Sequence, residues 1–213
     1  MKKYNLIFSL EEVVLPTRHL MPDYMYWRYG IQTTPEDWLK DEPLSLTINK
    51  LRSDKPLSQQ KIYSDFARGF FYYFKKRDFE LTKGARETIK EMSSFFNIYL
   101  LATRAKDEKV PILEILKKER VVNYIDGLYC TGYQIHSKKD HMRSSFLDIL
   151  KGYNLGYTDT SEEEVKNSLG KALVPVLFCQ HRQNDKPSFK QYEEARGWDD
   201  LKRLFLLKTN TRN

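Results

Sequence analysis

From residue 80 onward the chain alternates short apolar runs with helical segments, and no other feature constrains its fold as tightly. "GARETIKEMSSF" carries its apolar residues at helical spacing, and "NIYLLATR" follows as a continuous apolar run. "DEKVPILEILKKER" reads as a helix with Pro111 near its start, "YIDGLYC" as a strand, and "DHMRSSFLDILKGY" as a helix. "LGYTDT" reads as a strand end, "SEEEVKNSLG" as a helix, "VPVLFC" as a strand and "WDDLKRLFLL" as a closing helix. Strands that are apolar throughout, with helices between them, belong to a parallel sheet covered on both faces. The expected class is α/β with a doubly wound parallel sheet.

The first 80 residues differ in texture. "NLIFSLEEVVLPT" reads as one buried strand and its exit, with Glu11 and Glu12 set between two apolar runs. From about residue 18 to 77 the pattern is helical. "TTPEDWLKD" offers Thr34 as an N-cap and Pro35 at the first helical position. "SQQKIYSDFARGFFYYFKKR" sets Ile62, Phe66, Phe70 and Phe74 on one helix face, ending in Lys75, Lys76 and Arg77. The expected organisation is therefore an α/β core of residues 1–16 and 80–213, interrupted by an all-helical insertion over residues 17–79. The polar tail "KTNTRN" is expected to fray.

Composition excludes several classes of function. With 213 residues, 40% hydrophobic and 31% charged, the chain can bury a full core and is not a disordered segment. A net charge of +7 permits contact with anions, but the basic residues are spread along the chain, which makes nucleic acid an unfavoured partner. Aromatics beside Lys75, Lys76 and Arg77 could stack on bases, although a helix–helix core with a basic last turn is the simpler account. Cys130 and Cys179 lack metal-type spacing and read as reduced core thiols. The N-terminal apolar stretch is too short for a signal peptide, and no run is long enough to span a membrane, so the expected location is cytoplasmic.

In open parallel sheets, ligands gather beyond the carboxyl ends of the strands. Here those ends deliver Ser9 and Glu11, then Thr103 and Arg104, then Asp159 followed by Glu162 and Glu163. Lys138 and Lys139 precede the helix that feeds the Asp159 strand. A lysine and a strand-end hydroxyl suit a phosphate, and converging carboxylates suit Mg²⁺.

The order of these features resembles the haloacid dehalogenase-like (HAD) superfamily. Its first motif, hhhhDxDGTL, opens on a nucleophilic aspartate and continues to a second aspartate that serves as general acid/base. "LIFSLEEVVLPT" matches in its flanks, but Ser9 stands at the nucleophile, Glu11 at the acid/base and Glu12 at the glycine. The second motif, a strand ending in Thr or Ser, matches at Thr103; the third, a lysine before a helix, matches Lys138 or Lys139. The fourth, GD with an acid about four residues on, matches Asp159 and Glu163, with Thr158 replacing the glycine. The resemblance covers nearly the whole chain. It implies a HAD-like, Rossmannoid core with residues 17–79 as a helical cap.

It also implies a catalytic pair at Ser9 and Glu11, phosphate contacts at Thr103 and Lys138 or Lys139, and metal ligands at Asp159 and Glu163. The departures decide the chemistry. A serine is a poor ligand for a hard cation and needs a base to attack phosphorus. Glu11 is one methylene longer than the family's acid, and a displacement of that size can cost on the order of a hundredfold in rate. The expected function is a weak or silent HAD-like protein with at most weakly held Mg²⁺, recognising a phosphorylated small molecule or a protein at the core–cap cleft. The alternative is a working Mg²⁺-dependent phosphohydrolase that uses Glu11, Glu12 or metal-bound water; a nucleic-acid-associated protein ranks below both.

Overall fold

The computed structural model describes residues 4–38, 44–51, 56–77, 79–131, 143–150, 152–179 and 191–210. Six strands of these residues form one all-parallel sheet: β1 (Tyr4–Ser9), β2 (Phe96–Ala102), β3 (Gly127–Cys130), β4 (Asn154–Asp159), β5 (Val174–Phe178) and β6 (Glu193–Ala195). Their spatial order is β3-β2-β1-β4-β5-β6, so the chain winds one way from β1 and then returns to its other side. Among the described residues seven α-helices accompany them: α1 (Thr17–Tyr29), α2 (Leu44–Leu51), α3 (Gln59–Phe74), α4 (Ala85–Met92), α5 (Lys109–Lys118), α6 (Glu162–Asn167) and α7 (Trp198–Asn210).

Both faces of the sheet are covered, which explains why its inner strands carry consecutive apolar residues, such as Leu6-Ile7-Phe8 and Leu100-Leu101-Ala102, rather than alternating ones. Leu6, Phe8 and Leu100 join a cluster with Ile89, Trp198 and Phe205, whereas Ile7, Leu101 and Tyr157 pack with Leu147 and Leu150 on the other side. No helix among the described residues is long and apolar enough to cross a membrane.

Between β1 and α4 the regular elements among the described residues are helices, and no strand of the sheet lies there. Ile62, Phe70 and Phe74 of α3 are buried, as their spacing requires, and Ser58 caps the helix by accepting from the Lys61 N–H. The chain leaves the sheet and returns to it at one place: the Thr82 N–H donates to the Val14 carbonyl at 2.9 Å.

Four local expectations need correction. The described part of "TTPEDWLKD" is a 3-10 turn, Pro35–Trp38, in which the Asp37 carboxylate accepts from both the N–H and the hydroxyl of Thr34. The described part of "DHMRSSFLDILKGY" is likewise 3-10, Arg143–Asp148, where Ser144 is held from outside by Glu164. The described part of the tail, residues 208–210, continues α7 to Asn210, with the Thr209 hydroxyl donating back to the Phe205 and Leu206 carbonyls; residues 211–213 lie outside the described residues. β6 gives no apolar signal because it is a short charged strand, paired with β5 at the edge of the sheet among the described residues.

Candidate functional site

Ser9 and Asp159 end adjacent strands. The register pairs Phe8 with Thr158, so the next residue on each strand brings Ser9 and Asp159 side by side at the carboxyl end of the sheet. On the other side of β1, Ser9 pairs with Leu101, two residues before Thr103. These three sequence-predicted residues therefore gather where the strand order reverses, the usual ligand crevice of a doubly wound sheet. Lys138 and Lys139 lie outside the described residues.

The loop after β1 closes on itself. Ser9 is fully buried, and its hydroxyl donates to the Glu11 carbonyl at 3.1 Å. The Leu15 N–H donates to the Leu10 carbonyl at 2.8 Å, and the Glu12 N–H to the Leu15 carbonyl at 2.7 Å. Glu12 has a φ of +65°, a conformation that glycine adopts without strain and other residues reach at a cost. That is the position where the resemblance asks for glycine. Its carboxylate caps α1, accepting from the Thr17 hydroxyl and from the Arg18 N–H at 2.6 Å. The second glutamate is thus a helix cap.

Glu11 turns the other way. Its Oε1 accepts from the Arg104 Nε at 2.9 Å and its Oε2 from the Thr103 N–H at 3.4 Å. Arg104 is 2% exposed and sits in a box of aromatic rings, 4.1 Å from the centre of Phe66 and 4.9 Å from those of Phe70 and Phe71. Its Nη1 donates to the Phe66 carbonyl at 3.0 Å. One turn on, buried Glu108 accepts from the Phe71 and Tyr72 N–H groups of α3 at 2.8 and 3.2 Å. Arg104 and Glu108 together fasten α3 to the end of β2. Sequence reasoning listed Arg104 among the strand-end residues without a role and passed over Glu108; the available signal was a pair of charges flanking the turn opposite an aromatic stripe.

Asp159 is fully buried, with Oδ2 accepting from the Tyr157 hydroxyl at 2.7 Å and Oδ1 from the Ser161 N–H at 2.9 Å. Glu163 is exposed in the first turn of α6. Its neighbour Glu164 points inward and holds the N–H and hydroxyl of Ser144 at 3.0 and 2.9 Å. The donors at the crevice do not suit a divalent cation. Ser9 offers a neutral hydroxyl, Glu11 is neutralised by a guanidinium, and both Asp159 oxygens already accept hydrogen bonds. Among the described residues no three His, Cys, Asp or Glu side chains are grouped to hold a metal ion.

Burial sets the proton affinities nearby. It pushes the Cys130 thiol up to about 12, with the Glu11 charge adding to the effect, so the thiol stays protonated at neutral pH and is a poor nucleophile. Burial also raises Glu108 above the ordinary glutamate value of 4.5, against the opposing pull of the Phe71 N–H and Arg104. A carboxyl raised in the folded state loses its proton more readily when unfolded, so its contribution to stability falls as pH climbs above 4.5 toward the raised value. Glu12, raised chiefly by burial, acts in the same direction. Urea midpoints across the mildly acidic range should therefore fall less steeply with rising pH in Glu108→Gln than in wild type. An unchanged slope would remove Glu108 as a source of the pH dependence.

No family model and no curated protein matches the sequence. Solved structures do match. YfnB of Bacillus subtilis, described as a HAD-hydrolase bound to magnesium that reveals interdomain movement, matches at a TM-score of 0.66 and 12% identity over 96% of this chain and 99% of that one. CbbY of Rhodobacter sphaeroides in complex with phosphate matches at 0.60 and 11%, over 94% and 96% of the two chains. L-2-haloacid dehalogenase of Xanthobacter autotrophicus, with chloropropionic acid covalently bound, matches at 0.56 and 8%, over 95% and 98%. The likeness spans nearly the full length of both partners in each comparison, and at these identities it is a likeness of fold.

Proposed function

We propose that this chain, which has the haloacid dehalogenase-like fold, is a catalytically silent relative of the hydrolases built on it and works as a cytoplasmic binding or regulatory module. Residues 17–79 serve as its helical cap, and the cleft between cap and core recognises a phosphorylated small molecule or a protein partner. One arrangement carries this reading. Where the resemblance asks for an attacking carboxylate, the chain has Ser9, whose hydroxyl is turned into its own loop, and the neighbouring Glu11 carboxylate is tied to buried Arg104. A serine hydroxyl attacks phosphorus only with a base to take its proton. The nearest carboxylate in sequence, Glu11, is engaged by the buried Arg104 guanidinium at 2.9 Å.

The phosphate-bound CbbY and magnesium-bound YfnB show what proteins of this fold can hold. Of those two ligands, phosphate is the one this reading favours: Thr103 follows the end of β2 at the crevice, and the resemblance assigns it a lysine at 138 or 139, which lie outside the described residues. No step is assigned to Mg²⁺, since the donors present do not suit it.

The test is turnover of p-nitrophenyl phosphate and sugar phosphates with Mg²⁺. Wild type should give no rate above the enzyme-free control. Ser9→Asp combined with Glu11→Asp restores the family's two carboxylates, and Mg²⁺-dependent turnover in that variant would show that the rest of the pocket is intact. Substantial wild-type turnover that vanishes in Ser9→Ala would overturn the reading. Turnover that survives Ser9→Ala but is lost in Glu11→Gln would overturn it in favour of a hydrolase in which water attacks.

A further inference from the structure

A second site lies away from the strand ends. The two residues that follow α3 and the last turn of α5 enclose an open groove of about 620 Å³ lined by Lys75, Lys76, Glu114, Lys117 and Lys118. Both helices end here, and lysines at helix C-termini ordinarily offset the dipole. Two such ends amount to roughly one negative charge. Four ammonium groups against the single Glu114 carboxylate exceed that, which leaves the groove clearly positive. Lys75 spends part of its charge on Glu114 at 4.0 Å, and Lys118 reaches the Arg77 carbonyl at 3.5 Å. Lys76 and Lys117 are exposed and have no carboxylate partner among the described residues.

An aromatic ring stands beside the charge. Tyr72 lies in the last turn of α3, three residues before the C-cap Lys75. It is 63% exposed, unlike the buried Phe70, Phe71 and Phe74 around it, and the Lys75 ammonium sits 4.1 Å from its ring centre. An exposed tyrosine in contact with one of the groove's lysines sets a stacking platform beside the backbone track that the lysines provide. We propose that this groove binds single-stranded nucleic acid, with the lysines on successive phosphates and a base stacked on Tyr72. An acidic peptide would use the lysines but leave the ring without a role, and a duplex keeps its bases out of the ring's reach. The inference does not depend on the crevice around Ser9.

Fluorescence anisotropy with a labelled oligo-uridine of about 15 nucleotides tests it, because four phosphate contacts should give a log–log salt slope of about −3. Lys76→Glu with Lys117→Glu should weaken binding at least tenfold and bring the slope to about −1.5, two contacts having been lost. Tyr72→Ala should weaken binding about tenfold and leave the slope unchanged. Lys90→Glu with Arg203→Glu makes the same change in net charge on α4 and α7 and should bind as wild type. No saturable binding at about 50 mM salt, or an equal loss in the Lys90/Arg203 control, would overturn the proposal by reducing the effect to the chain's overall charge. Equal competition by oligo-glutamate, with Tyr72→Ala unaffected, would overturn it in favour of an acidic protein partner.

Discussion

Arg104→Met should destabilise the fold by about 3–5 kcal/mol, the usual consequence of removing one partner from a buried ion pair. The guanidinium is 2% exposed at its side chain and the Glu11 carboxylate 12%, so neither is well screened by water. Methionine restores the volume but leaves Glu11 without its countercharge and the Phe66 carbonyl without its donor. It also removes the cation from the rings of Phe66, Phe70 and Phe71. The denaturation midpoint should drop at an unchanged m-value. Adding Glu11→Gln to Arg104→Met should recover part of the loss, because the carboxylate left behind is then gone. A cost below about 1 kcal/mol, the range of a surface pair, would show that Arg104 does not fasten α3 to the strand end.

That ion pair marks the limit of what the residues alone disclosed. The sheet was legible because strands buried on both faces leave continuous apolar runs, and the crevice was legible because Ser9, Thr103 and Asp159 each end such a run. The destination of the side chains was not. Glu11 and Glu12 are neighbours of the same type, yet one meets Arg104 and the other caps α1, a division made by the positive φ at Glu12 and invisible in composition. Arg104 reads as an ordinary polar exit from β2, and its partners on α3 lie more than thirty residues upstream. Ile62, Phe70 and Phe74 were recognisable as a buried face, but the cation that the adjoining rings enclose was not. β6 escaped because two of its three residues are exposed glutamates.

Gly156→Ala is expected to be the costliest small substitution in the sheet. A Cβ at this position would overlap the ring of Phe205, meeting Cζ at 2.5 Å, and would stand 3.0 Å from Leu6 Cδ2. Phe205 is fully buried and also packs against Phe8, so its ring has little room to withdraw. Forcing even one methyl group into such a core costs about 1–3 kcal/mol, with the upper end expected where an aromatic ring must move. The glycine is where α7 seats its ring on β4, three residues before Asp159, so the same substitution should loosen the crevice. Phe205→Leu should be destabilising alone, by leaving a void, yet the alanine should cost less in that background than in wild type. This coupling separates a steric overlap from a change in strand propensity, which would cost the same in both. Two residues on, Thr158→Val should be neutral or slightly stabilising, since the Thr158 hydroxyl is buried without a hydrogen-bond partner and loses nothing when replaced by a methyl. A neutral Gly156→Ala would mean that α7 does not rest on β4 through Phe205.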